Sequence, residues 1–291
     1  MSIVDERLTR PESHGPKENS FITLLMPSEM DITSLQNPRV KHIVRLRDEK
    51  RQRRADGLML VEGYDEIQLA LSAGHHPRTV FSAPELLSRQ LSVDDANVEQ
   101  ITVNRAVFEK MSYRENPDGW LAVFPIPHIS LDDLTLSALP LVIVAESVEK
   151  PGNLGAILRT ADAAGVDALL VCDPRVDLWN PNVVRASRGA VFSVATVECD
   201  SASALDWLKK QAIRILAATP SADEVYSSMD LRQPIAIAVG TEDEGLSEFW
   251  MSHADTKVRI PMMGRVNSLN VSVSTGLIVY EAVRQRSGYS Q

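Results

Sequence analysis

The chain is short of several things, and each shortage excludes something. Among 291 residues there are only two cysteines, Cys172 and Cys199, with no CxxC pair. A disulfide framework and a thiolate zinc site are therefore not expected. The six histidines form no HExxH and no clustered ligand set, so no metal site is expected. No apolar run approaches the length that spans a bilayer, so no membrane association is expected. The opening stretch, MSIVDERLTRPESHGPKENS, carries acids and has no apolar signal-peptide core. A cytoplasmic protein whose residues 1–30 form a poorly ordered tail is the expectation. The glycine fingerprint GxGxxG is missing as well. GNLG, at Gly152 to Gly155, does not replace it, and dinucleotide binding is disfavoured.

Positive charge is scarce overall, with 30 Lys and Arg against 39 Asp and Glu for a net charge of −9. What there is gathers in one place, NPRVKHIVRLRDEKRQRR (Asn37 to Arg54). A local basic face can bind phosphate even on an acidic protein, although a solvated helix face has the same composition. Val40, Ile43, Val44 and Leu46 recur there at helical spacing.

From Asp31 the pattern is that of an α/β module. GLMLVEG, RTVFSA, VEQITV and GWLAVF read as strands, with YDEIQLALSAG, PELLSRQL and NRAVFEKM as helices. The Pro- and Ser-rich stretch from Pro125 to Pro140 reads as a linker, giving domains at 31–127 and 140–291 joined by 128–139. Beyond it LVIVAE, DALLVCD, AVFSVATV, IRILAAT and IAIAVG are apolar without alternation. Strands of that kind are covered on both faces, which implies a parallel sheet flanked by helices.

Three stretches hold chemistry. In EKPGNLGAILRTADAAGV, Asn153 can cap a helix that carries Arg159. In IAIAVGTEDEGLS, a buried strand ends at Gly240, followed by Thr241, Glu242 and Gly245. Ligands bind at that edge of a parallel sheet. In IPMMGRVNSLNVSVSTGLIVYEAV, the polar Asn267, Ser268 and Asn270 interrupt two apolar runs. Ser268 or Asn270 can cap the following helix, from about Asn270 to Arg286, but three polar residues exceed what a cap needs.

These three stretches resemble the motifs of the SpoU/TrmH branch of the SPOUT RNA methyltransferases, and ITSLQNPRVKHIVRLRDEKRQRR…LMLVEG is similar to the ribosomal-protein-like substrate-binding domain of many members. The resemblance runs from about Asp31 to near the C-terminus. It implies an α/β fold in which a parallel-sheet SPOUT domain with a deep trefoil knot follows a smaller α/β domain. Knots are rare in general, and no periodicity suggests one. The resemblance implies S-adenosyl-L-methionine as cofactor, held by Thr219, Gly240, Thr241, Glu242, Gly245, Ile260, Met262, Ser268 and Leu269. It implies methyl transfer to a ribose 2′-hydroxyl of tRNA or rRNA, with Arg159, Asn153, Glu242, Ser268 and Asn270 as the catalytic set. A non-catalytic RNA-binding or ribosome-assembly protein retaining the fold is the alternative. RNA contacts are expected at Arg39, Lys41, Arg45, Arg51, Arg54, Arg185 and Arg188, with Arg47 and Arg53 in the same basic face. A homodimer through the knotted domain is expected, with Arg265 or Arg188 reaching across it. Thr241 and Asp243 depart from the residues more usual in the second motif.

Overall fold

The computed structural model describes residues 31–93 and 95–287. The tail expected at 1–30 lies outside them. The first part of the chain contains α1 (Pro38–Asp48), α2 (Lys50–Asp56), β1 (Leu58–Glu62), α3 (Tyr64–Ser72), β2 (Thr79–Ser82), β3 (Glu99–Thr102), α4 (Arg105–Met111) and β4 (Trp120–Pro125). Its sheet has the order β1-β4-β2-β3, antiparallel except for the β2–β3 pair. Asn37 caps α1 by accepting from Arg39 N at 2.8 Å, and Val40, Ile43 and Leu46 are its buried stripe.

Two sequence expectations fail in this part. The basic run is not one continuous helix, because Glu49 is extended and separates α1 from α2. The break turns Arg53 inward, where its guanidinium donates to the carbonyls of Leu46 (2.6 Å) and Arg47 (3.0 Å). Carbonyls in a final helical turn lack partners within the helix. PELLSRQL is a run of turns, not a helix. The Arg89 carbonyl is taken by Trp120 Nε1 at 3.0 Å, and Leu87 and Leu91 pack on the core from an irregular backbone.

The second part contains β5 (Leu141–Glu146), α5 (Pro151–Ala164), β6 (Ala168–Cys172), α6 (Pro181–Ser187), β7 (Thr196–Cys199), α7 (Ser201–Lys210), β8 (Arg214–Ala218), β9 (Glu224–Val225), β10 (Ile235–Val239), α8 (Glu248–His253), β11 (Thr256–Arg259) and α9 (Val271–Arg286). All seven strands are parallel, in the order β7-β6-β5-β10-β8-β11-β9. β5, β6 and β10 are buried throughout, as unbroken apolar runs require. Helices α5, α6 and α9 cover one face, and α7 and α8 the other. After β11 the chain does not stay at its edge of the sheet. It returns through 260–270 to lay α9 against α5 and β10.

Only the last two residues of AVFSVATV are strand. Arg188 and Gly189 are left-handed, Ala190–Phe192 is a 3₁₀ turn, and β7 begins at Thr196. The turn puts Phe192 6.0 Å from Phe124 of the first sheet. One apolar core therefore runs across both parts, joining Met59, Val61 and Phe124 to Ile143, Leu158 and Phe192. A buried ion pair crosses the same junction: Arg53 Nε and Nη2 donate to Asp177 Oδ2 at 2.8 and 2.6 Å. Residues 128–139, between the two parts, have local structure of their own. Ser130 and Asp133 box a 3₁₀ turn, and Leu131, Leu134 and Leu136 pack on the second core.

Candidate active site

At the carboxyl ends of β8, β10 and β11 lies a cleft of about 700 Å³. All nine residues expected at the cofactor line it: Thr219, Gly240, Thr241, Glu242, Gly245, Ile260, Met262, Ser268 and Leu269. The loop after β10 is built to stay tight. Thr241 N donates to the Gly245 carbonyl at 2.9 Å, and Gly245 N returns the bond at 3.1 Å. Gly245 has a φ of +72°, which favours glycine, and a methyl group on Gly240 would overlap the Gly245 carbonyl oxygen. The buried Glu146 carboxylate fixes the loop's far end, accepting from Ser247 N (2.8 Å) and Oγ (2.6 Å).

The three motifs meet at Asn270. Its Oδ1 caps α9, accepting from Ser272 N at 3.0 Å and Ser272 Oγ at 2.6 Å. Its Nδ2 donates to Asn153 Oδ1 at 3.1 Å and reaches Glu242 Oε1 at 3.5 Å. Glu242 is also paired with the Lys150 ammonium, which that partner holds above the usual lysine range. Asn153 is not the helix cap expected for it. Lys150 occupies the cap position, Pro151 begins α5, and Asn153 lies two residues further in. Its side chain is therefore free to bond across to Asn270. Sequence reasoning missed Lys150, although its place immediately before the helix-starting Pro151 puts it beside the second motif's loop. It missed Ser274 in the cleft wall as well.

Arg159 is not part of this cluster. It is exposed on α5 and has no hydrogen bond or ion pair among the described residues. Ser268 is exposed at the cleft's lip. The basic residues sort into two groups. Arg53 is only 2% exposed and is committed to Asp177, which removes it from the surface. Arg47 is held by Asp48 and by the carbonyls of Lys110 and Ser112, and Arg39 is paired with Glu99. Lys41, Arg45, Arg51, Arg54, Arg185 and Arg188 are exposed and have no such partner among the described residues. Cys172 and Cys199, distant in sequence, face each other on β6 and β7 with their sulfurs 4.0 Å apart.

The cleft fits a nucleoside-like cofactor. Its volume falls in the range of about 300–1,000 Å³ usual for small-molecule sites. Ile260, Met262 and Leu269 give apolar surface, and Thr219, Glu242 and Ser268 give polar groups. A parallel sheet with such a cleft at its carboxyl edge, closed by a returning C-terminal helix, agrees with the arrangement that the resemblance to the SPOUT methyltransferases implies.

Comparison with known proteins narrows this. Residues 140–280 match the SpoU rRNA Methylase family, and residues 37–122 match the MRM3-like substrate binding domain. A 23S rRNA (uridine(2479)-2′-O)-methyltransferase of Streptomyces viridochromogenes is 31% identical over 89% of this chain and 94% of its own length. A crystal structure of an RNA 2′-O ribose methyltransferase is 43% identical, with a TM-score of 0.77, covering 89% of this chain and all of that one. The SpoU methyltransferase AviRb of Streptomyces viridochromogenes, in complex with AdoMet, is 30% identical, with a TM-score of 0.78 over 86% of this chain and 99% of that one. The chain belongs to the SpoU/TrmH family of RNA methyltransferases.

Proposed function

We propose that this protein transfers a methyl group from S-adenosylmethionine to a ribose 2′-hydroxyl of RNA, with ribosomal RNA as the favoured substrate. The carrying observation is the junction at Asn270, where one side chain joins the loops of all three motifs beside the cleft. When bound, S-adenosylmethionine supplies an electrophilic methyl group on sulfur. Thr219, Gly240, Thr241, Gly245, Ile260, Met262, Ser268 and Leu269 would hold it, in part through backbone groups. Glu242, Asn270 and Asn153 keep the loops in register, so that the bound methyl group and the incoming hydroxyl are held in line.

Arg159 sits on the same helix as Asn153, outside the cleft of its own chain. Arginine is a poor general base, because its pKa exceeds about 12. Its guanidinium serves instead to hold an RNA phosphate and to stabilise charge developing on the attacking oxygen. Arg185 and Arg188 add phosphate contacts nearby, and residues 31–127 hold the RNA at a distance with Arg39, Lys41, Arg45, Arg51 and Arg54.

The protein works as a homodimer through residues 140–291. Supporting this, α9 exposes Val273, Leu277 and Tyr280 along one face, and the segment before it exposes Met263 and Val266. Monomers seldom leave such a patch uncovered. Arg265 or Arg188, both exposed, would reach across to the second copy. Among the described residues, no helix is long and apolar enough to cross a membrane. Acting on cellular RNA, the enzyme would work in the cytoplasm.

The test is to incubate the protein with total RNA and labelled S-adenosylmethionine and then map the modified nucleoside. Arg159→Ala should keep the cofactor-induced thermal shift and lose nearly all methyl transfer. Near-full transfer in that variant removes Arg159 from the mechanism. A base-methylated product refutes the ribose assignment.

A further inference from the structure

Between α1, the segment before it and the end of α4 is a hollow of about 460 Å³. Leu35, Pro38 and Val44 give it apolar walls, and Lys41, Arg45 and Lys110 ring it with positive charge. Lys41 and Arg45 are one helical turn apart on α1, so their charges stand on the same face. Lys110, in the last turn of α4, brings a third from another element. None of the three has a hydrogen bond or ion pair from its side chain among the described residues. Three nearby acids are hydrogen-bonded to other partners, Asp48 to Arg47, Asp56 to His42 and Gln52, and Glu99 to Arg39, so Asp48 and Asp56 offset Lys110 and Arg45 only through space. Like charges stacked this way repel, in a chain that carries an excess of acids. Such a cluster is stabilised when an anion is placed among the three. Leu35 is 45% exposed beside it, an apolar surface with no cover.

We propose that this hollow is a remote RNA-holding subsite. It seats one nucleotide of the substrate, with the base or ribose against Leu35, Pro38 and Val44 and the flanking phosphates on Lys41, Arg45 and Lys110. The inference rests on the RNA methyltransferase reading and adds to it a defined place, a new residue in Lys110, and a division of labour. The basic run is not a uniform footprint. Arg47 and Arg53 are held within the fold by carbonyls and acids, and the hollow adds a defined seat to the RNA contacts of Arg39, Arg51 and Arg54. A grip far from the reacting ribose acts equally on ground and transition states, so it sets KM rather than kcat.

The test compares wild type with the Lys41→Gln/Arg45→Gln/Lys110→Gln variant and, separately, with Leu35→Asp. The substrate is the RNA that the wild type methylates. For the triple variant, KM for RNA should rise at least tenfold with kcat within twofold. The slope of log affinity against log salt should become shallower by about 2, since each lost phosphate contact removes about 0.7–0.9. Leu35→Asp should raise KM by several-fold. Both variants should retain the wild-type melting temperature and S-adenosylmethionine affinity, which separates a lost subsite from a damaged fold. A KM and salt slope within twofold of wild type would overturn the proposal, and would leave this face to an acidic protein partner instead. A wild type that binds RNA but methylates none would refute the enzymatic reading alone. In that case filter-binding of the same RNA still decides the hollow by the salt slope.

Discussion

Asn270 does two jobs through two ends of one amide, and isosteric replacement separates them. Asn270→Ala deletes both. Loss of the cap to Ser272 N costs about 1 kcal/mol, roughly 2–4 °C in melting temperature for a domain of 150–250 residues. Asn270→Asp keeps the capping oxygen and adds a negative charge at a helix N-terminus, where it is favoured by about 0.3–1 kcal/mol. But the donor to Asn153 and Glu242 is gone, and a second carboxylate stands about where Nδ2 lay 3.5 Å from Glu242 Oε1. Two unit charges near 4 Å repel by about 1 kcal/mol in water and about 4 kcal/mol at an effective dielectric of 20. This half-exposed site falls between those limits, so repulsion matches or outweighs the gain from the helix end. The side chains relieve it by parting, which moves the Glu242 loop out of register with α5. The Asp variant should therefore melt close to wild type and lose at least tenfold in kcat/KM, equivalent to about 1.4 kcal/mol. The Ala variant should lose both stability and activity. The assay pairs a thermal melt with RNA methylation kinetics on the two variants. If Asn270→Asp retains kcat/KM within threefold of wild type, the amide serves only as a cap, and the reasoning that joins the three motifs through it is wrong.

Two further outcomes test the frame around the site. Asp177→Ala strands the buried Arg53 charge at the junction of the two sheets, and should cost about 3–5 kcal/mol in urea unfolding. Much of that should return when Arg53→Met is added, and a single-variant loss under about 1 kcal/mol would show that the pair is not a clamp. Gly240→Val forces a side chain onto the Gly245 carbonyl, so S-adenosylmethionine affinity should fall at least tenfold by calorimetry; affinity within threefold of wild type would show that the loop gives way without cost.

The sequence by itself determined the architecture of the second part. Unbroken apolar runs such as LVIVAE and IAIAVG read as strands covered on both faces and form them, although AVFSVATV, a run of the same kind, becomes strand only from Thr196, and the helices between them follow from the 3.6-residue spacing. Excess polarity at Asn267, Ser268 and Asn270 marked a site before any fold was known, because local capping accounts for only one of the three. Tertiary structure alone decided the rest. Whether a basic residue is a surface cation or a core bolt depends on what stands opposite it, and Arg53 found Asp177, 124 residues away. PELLSRQL has helical composition but became turns, because Trp120 and the core claimed its backbone and leucines. The return of α9 under the loops of β10 has no signature in periodicity, since local pattern fixes the shape of a segment and not the route by which it arrives. That route places Asn153, Glu242 and Asn270, spread over 117 residues, within reach of one another.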